Sequence, residues 1–140
     1  MKITICSRNS VECLLQNNFP QNTAVISFYD PDKFNNDKNY KLVDYNGKAD
    51  HVLYIPLDDF QTELPEADKI AEFVYTAKSK DFEIICQCES GQNRSVGCAA
   101  AIQEHFYHSG DFILNNHRYH PDEKVYYTVL DALEAFGNNK

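Results

Sequence analysis

The 140-residue sequence predicts an α/β fold, a single domain over residues 1–140 with a central, mostly parallel sheet of four to five strands flanked by helices. Three observations predict it. Short apolar runs alternate with segments of helical periodicity. One of those runs, Phe82 to Gln87, is too apolar to have a wet face. No internal repeat, low-complexity tract or second domain interrupts the alternation.

Each element has its own signal. Lys2 to Cys6 reads as a first strand. Asn9 to Asn17 reads as a helix, with Val11, Leu14 and Leu15 on one face. Ala24 to Phe28 is a second strand, closed by Asp30-Pro31. Residues 32 to 50 are polar and contain the tight-turn pair Asn46-Gly47; Tyr40 to Tyr45 is either an edge strand or a mobile loop. His51 to Leu57 is a third strand that ends in Asp58-Asp59. A helix start at Thr62 to Pro65 leads into Leu64, Ala67, Ile70, Ala71 and Val74 at helical spacing. After the strand at Phe82 to Gln87 comes a helix, Arg94 to His108, whose Gly97, Cys98, Ala99, Ala100 and Ala101 permit close packing on a sheet. Asp111 caps a short piece. Pro121 starts a last helix with Val125, Tyr126, Val129, Leu130, Leu133 and Phe136 on one face.

Composition narrows the partners. A net charge of −8 argues against nucleic acid and anionic membranes as partners, but not against a phosphorylated substrate held by a strong local field. No apolar run reaches the length of a membrane span, and the start does not read as a signal peptide. Five cysteines, an odd number without scaffold spacing, point to a reducing, cytoplasmic setting with mostly buried thiols. Cys86-Gln87-Cys88 has no second pair to complete a zinc site, so no metal is expected.

The chemistry concentrates in Cys88-Glu89-Ser90-Gly91-Gln92-Asn93-Arg94-Ser95, between an apolar strand and a helix. In a parallel sheet, loops at the carboxyl ends of strands share one rim, which would bring Cys88 and Asp59 together. An ordinary thiol, with a pKa near 8.5, is only about a few per cent thiolate at pH 7. Loop amides from Glu89 to Arg94 turned inward, a helix N-terminus and the Arg94 guanidinium would lower that value and bind a phosphate at the same spot. Gly91 sits where a sharp turn calls for positive φ. Cys88 is the candidate nucleophile, Arg94 the bidentate phosphate ligand, and Ser95 the hydroxyl that eases sulfur's departure. Glu89, Ser90, Gly91, Gln92 and Asn93 complete the substrate-binding loop. Asp59 is the favoured general acid and Asp58 its competitor. Arg8 is a further candidate phosphate contact. His105, His108, His117 and His120 read as surface, packing or loop residues, and Cys86 either as a buried strand thiol or as a partner for Cys88 on oxidation.

Cys88-x-x-Gly91-x-x-Arg94-Ser95 resembles the signature loop of the cysteine-based protein tyrosine phosphatase superfamily, specifically its small dual-specificity-like members. Ile55-Pro56-Leu57-Asp58-Asp59 resembles the loop that carries their general acid, and this likeness selects Asp59. Weaker likenesses, at Ile5-Cys6-Ser7-Arg8, Val25-Ile26-Ser27 and Tyr119-His120-Pro121, are to compact bacterial or phage-type members. The resemblance implies a phosphatase-like fold, a phosphocysteine intermediate, no cofactor, and a phosphorylated protein or small phosphomonoester as substrate. Phosphotyrosine is expected first, then phosphoserine and phosphothreonine. Gln87 replaces the usual His before the nucleophile, Asn93 replaces a smaller residue, and Glu89 and the lack of loop lysines discourage highly charged or lipid phosphates. The competing expectations are a catalytically weak or dead module that binds phosphorylated partners, and another enzyme on the same loop: an RNA 5′-triphosphatase, an arsenate reductase or a rhodanese-like protein.

Overall fold

The computed structural model describes residues 1–58 and 63–139. Four strands, β1 (Ile3–Cys6), β2 (Thr23–Tyr29), β3 (His51–Pro56) and β4 (Glu83–Gln87), form one sheet in the order β1-β4-β2-β3. All three pairings are parallel. β4 takes an interior place: its Ile84, Ile85 and Cys86 are fully buried and Gln87 nearly so. Such a strand is flanked by neighbours on both edges and covered on both faces.

Helices supply that cover. On one face, α3 (Ala67–Ser79), α4 (Arg94–Tyr107) and α6 (Glu123–Asn138) bury Ile70, Val74, Cys98, Ile102, Val129 and Leu133 against Ala24, Ile26, Ile55, Ile84 and Cys86. The other face is covered by α1 (Arg8–Gln16) and by the chain before β3: Val11, Val43 and Tyr45 pack on Val25 and Ile85. The period-2 alternation within each strand sorts side chains between these two clusters. Small residues let α4 approach closely. A methyl group on Gly97 would clash with the Asp122 carbonyl oxygen, so glycine alone allows that approach.

Several boundaries differ from the sequence expectation. A short helix, α2 (Pro31–Asn36), forms in the polar segment, because Asp30 caps the N–H groups of Asp32 and Lys33 and Pro31 presets the first turn. Tyr40 to Tyr45 pairs with no strand. It packs as irregular chain, with Val43 and Tyr45 buried, and turns at Asn46-Gly47, where Gly47 has φ +78°. The helix expected from Thr62–Pro65 begins at Ala67 in the described chain. The last helix begins two residues after Pro121, where the Asp122 carboxylate accepts from the Val125 N–H at 3.1 Å. Another short helix, α5 (Asp111–Leu114), packs beside α4, and Asp111 lies inside its first turn rather than at its cap.

The strand ends set the site. Ser7 and Arg8 follow β1, Asp30 follows β2, Leu57 and Asp58 follow β3, and Cys88 follows β4. All four carboxyl ends open on one rim. No helix of the described residues is long and apolar enough to cross a membrane.

Candidate active site

Cys88 leaves β4 fully buried, its N–H donating to the Cys6 carbonyl at 3.3 Å. The chain then turns back sharply. Gly91 has φ +69°, a region costly for other residues. A methyl group there would meet the Ser7 nitrogen at 2.6 Å, so the loop lies directly on the β1–α1 junction. Arg8 N–H donates to the Glu89 carbonyl at 3.1 Å and holds the loop from the same side.

The turn aims donors at sulfur. The Ser95 hydroxyl lies 3.0 Å from Cys88 Sγ, and the backbone N–H groups of Ser95, Asn93 and Gly91 favour its thiolate. Burial opposes the thiolate, but these four donors outweigh it and hold the thiol below its ordinary value. The arrangement is an anion nest at the start of α4, with sulfur at its base.

Arg94 is the buried cation of the nest, at 9% exposure. Its Nη1 donates to the Leu57 carbonyl, and its Nε has no partner among the described residues. A buried guanidinium N–H left unpaired is costly unless something fills it, and an anion over Cys88 would supply the acceptor. The Leu57 contact also ties the segment leading to the two aspartates to the guanidinium. Asp58 is half-buried within that segment. Asp59, the favoured acid, lies outside the described residues.

Other loop residues hold the loop's shape. Asn93 Nδ2 donates to the His120 carbonyl at 2.7 Å, and its Oδ1 accepts from Ser90 Oγ at 3.2 Å. Gln92 N–H donates to Ser90 Oγ, and the Gln92 carbonyl accepts from His120 N–H at 2.9 Å. The Asn93 carbonyl accepts from both Gly97 and Asp122. The segment from His120 to Asp122 is therefore the outer support of the loop, a role not evident in Tyr119-His120-Pro121 as sequence.

Gln87 occupies a hydrogen-bonded niche. Its Oε1 accepts from the Ser27 hydroxyl and from the Tyr45 hydroxyl at 2.9 Å, all three side chains being buried. Burial pushes the Tyr45 phenol well up, so it stays a donor at any working pH. Sequence reasoning missed Ser27 and Tyr45. The available signal was Tyr45 as the last aromatic before the Asn46-Gly47 turn.

Some candidates are engaged elsewhere. Arg8 reaches the rim, but its guanidinium bonds Glu12 at 3.2 Å, approaches Glu89 at 3.9 Å and stands 5.6 Å from the Tyr40 ring centroid. Cys86 faces Cys98: that hydrogen bond and complete burial push its thiol well up, as befits a packed strand residue. All five cysteines are free. His105 bonds the Tyr75 hydroxyl at 2.7 Å, away from the loop. Among the described residues no cluster of His, Cys, Asp and Glu has a metal-binding arrangement.

A parallel sheet with a Cys-to-Arg nest at the end of β4 defines the class: the cysteine-based protein tyrosine and dual-specificity phosphatase superfamily. Solved structures share the fold. Tk-PTP in its active form is 14% identical with TM-score 0.63, covering 96% of this chain and 92% of its own. PTPMT1 in complex with PI(5)P is 10% identical with TM-score 0.62, covering 99% and 94%. Human DUSP28 is 10% identical with TM-score 0.60, covering 99% and 95%. Within that class a family model, the Rit1 DUSP-like domain, matches residues 47–127, and the chain belongs to that family. The matched span runs from the Asn46-Gly47 turn through the Cys88–Arg94 loop into α6. No curated protein matches the chain by sequence.

Proposed function

We propose that the chain is a cysteine-dependent phosphatase that hydrolyses phosphomonoesters through a phosphocysteine intermediate. The carrying observation is the buried Cys88 sulfur 3.0 Å from Ser95 Oγ, in a loop whose backbone N–H groups favour the thiolate and whose buried Arg94 Nε has no partner among the described residues. In the first step the Cys88 thiolate attacks phosphorus, the phosphorus–oxygen bond to the leaving group breaks, and Asp59 gives its proton to the departing oxygen. In the second step Asp59 takes a proton from water, water attacks phosphorus, the phosphorus–sulfur bond breaks, and inorganic phosphate leaves. Ser95 donates to the sulfur as it regains charge. The nest amides and Arg94 meet the transferring phosphoryl group already oriented, the largest source of stabilisation open to such a site.

The nest reads only the phosphate group. Phosphotyrosine, phosphoserine and phosphothreonine therefore all qualify wherever the mouth admits the leaving group. The test is hydrolysis of p-nitrophenyl phosphate in chelator. Cys88→Ser and Arg94→Ala abolish turnover on this reading, and activity surviving in Cys88→Ser would sink it. A phosphopeptide that binds the native chain but never turns over would instead support a phosphate-binding module.

The family match gives one further substrate to compare. The Rit1 DUSP-like domain family is related to tRNA modification, so phosphorylated RNA belongs beside phosphotyrosine peptide in the assay. The charge of −8 weighs against a long RNA contact. Release of phosphate from RNA ends at a higher kcat/KM than from peptide would favour the RNA reading.

A further inference from the structure

We propose that the leaving group taken by this site is a small polyhydroxy compound, a sugar or polyol, rather than an aryl or peptide group. This rests on the phosphatase reading and concerns the cleft next to the nest. That cleft has a volume of about 250 Å³ and is lined by Asp30, Lys33, Tyr40, Glu89, Ser90, Asn93 and Arg94. Sites for drug-sized ligands run from about 300 to 1,000 Å³ and are mostly apolar. This one is smaller, and among the described residues Tyr40 supplies the one ring in its lining. It has room for a phosphate and one small group.

The lining states what that group must offer. Asp30 and Glu89 come from different strand ends, and an ionised carboxylate only accepts hydrogen bonds. Asp30 Oδ1 is occupied by the N–H groups of Asp32 and Lys33, which fixes the carboxylate while Oδ2 carries further acceptor sites. Tyr40 is also fixed. Its hydroxyl accepts from Asp30 N–H at 3.2 Å, and Arg8 stands over its ring. Arg94, whose buried Nε has no partner among the described residues, lines the same cleft and supplies the charge that an anion there would need. A phosphate on Arg94 therefore places its ester carbon among fixed acceptors. Hydroxyl groups on neighbouring carbons satisfy those acceptors, whereas a phenyl ring would strip water from them and return nothing.

Basic peptide side chains are also donors, but Lys33 works against them. It lines the same cleft and forms no ion pair with a carboxylate among the described residues. An unpaired ammonium repels a cationic side chain, while a neutral hydroxyl can donate to the carboxylates or accept from Lys33.

The test compares alkyl phosphates that differ in hydroxyl groups: ribose 5-phosphate and glucose 6-phosphate against n-propyl phosphate. Phosphotyrosine, an arginine-flanked phosphopeptide and p-nitrophenyl phosphate are measured alongside. The expected result is a kcat/KM for the sugar phosphates at least about tenfold above propyl phosphate, since a site built to bond hydroxyls rejects analogues that lack them. Asp30→Asn keeps a competent helix cap but removes the charge; it lowers that ratio, while an unchanged melting temperature shows the chain still folds. Vesicles carrying phosphatidylinositol 5-phosphate distinguish a lipid headgroup from a free sugar as the source of the same hydroxylated ring. Equal turnover of ribose 5-phosphate and propyl phosphate, an unmoved ratio in Asp30→Asn, or preference for the arginine-flanked peptide would each overturn the inference. Any of these with p-nitrophenyl phosphate still hydrolysed leaves the phosphatase reading intact; no hydrolysis of any phosphate sinks that reading itself.

Discussion

Ser95 places its hydroxyl 3.0 Å from the sulfur, and its backbone N–H also favours the thiolate. Removing the hydroxyl in Ser95→Ala has two expected effects. The pH midpoint for alkylation of Cys88 by iodoacetamide rises, because the thiolate loses a donor while burial is unchanged. Turnover falls about 10²-fold, the scale for losing one oriented donor at a site of developing charge. Gly91→Ala acts differently. At φ +69°, and with a methyl carbon 2.6 Å from the Ser7 nitrogen, it strains the loop against β1. Urea unfolding is expected to show a loss of about 1–3 kcal/mol, the usual cost of one sparsely populated backbone conformation. Both residues were legible in the sequence, because a thiolate that binds phosphate needs donors at fixed offsets. Gln87 was legible only as a departure from the family pattern. What satisfies it, Ser27 and Tyr45, comes from chain 60 and 42 residues away. Such a partnership depends on sheet register, which no local spacing encodes.

Among the elements, α4 and α6 meet where the loop is supported. Asp122 caps α6 with its carboxylate and donates its own N–H to the Asn93 carbonyl. Asp122→Ala is expected to cost about 1 kcal/mol, the typical worth of a cap, read from the urea midpoint at constant slope. Periodic elements were the most legible. The apolar faces of α3 and α6 and the burial of β4 follow from spacing alone. The segment from Pro31 to Tyr45 was not. Its short helix depends on a cap and one proline, and Val43 and Tyr45 are buried without any strand pairing. Apolar alternation without a partner edge gives the same sequence signal as a strand. The start of α6 shifted because an aspartate cap outranks a preceding proline as a boundary.

For the whole molecule, two titrations give stability a definite pH dependence. Burial holds His105 below its ordinary value, with His108 adding to the effect and Glu134 opposing it. The folded chain therefore favours neutral His105. Its contribution is fully present above the ordinary histidine value of 6.5 and declines as pH falls below it. Cys88 also sits below its ordinary value, so its contribution grows as pH rises from the folded thiol's pKa toward 9.0. Urea unfolding from pH 5 to 9 is expected to show stability rising through the lower window, while in the upper one Cys88 adds stability and the raised Cys86 and Cys6 thiols oppose it. His105→Gln should flatten the lower rise, and Cys88→Ser should lose stability relative to the native chain as pH approaches 9.

The sheet order also dictates a sequence of events during synthesis. β1 pairs only with β4, Ile3 against Ile84, while β2 and β3 pair with each other well before that. A ribosome working from the N-terminus therefore releases the first strand long before its neighbour exists. The late closure of that long-range contact is intrinsically slow. Because Gly91 and Glu89 rest on the turn after β1, the anion nest is not assembled until that contact forms.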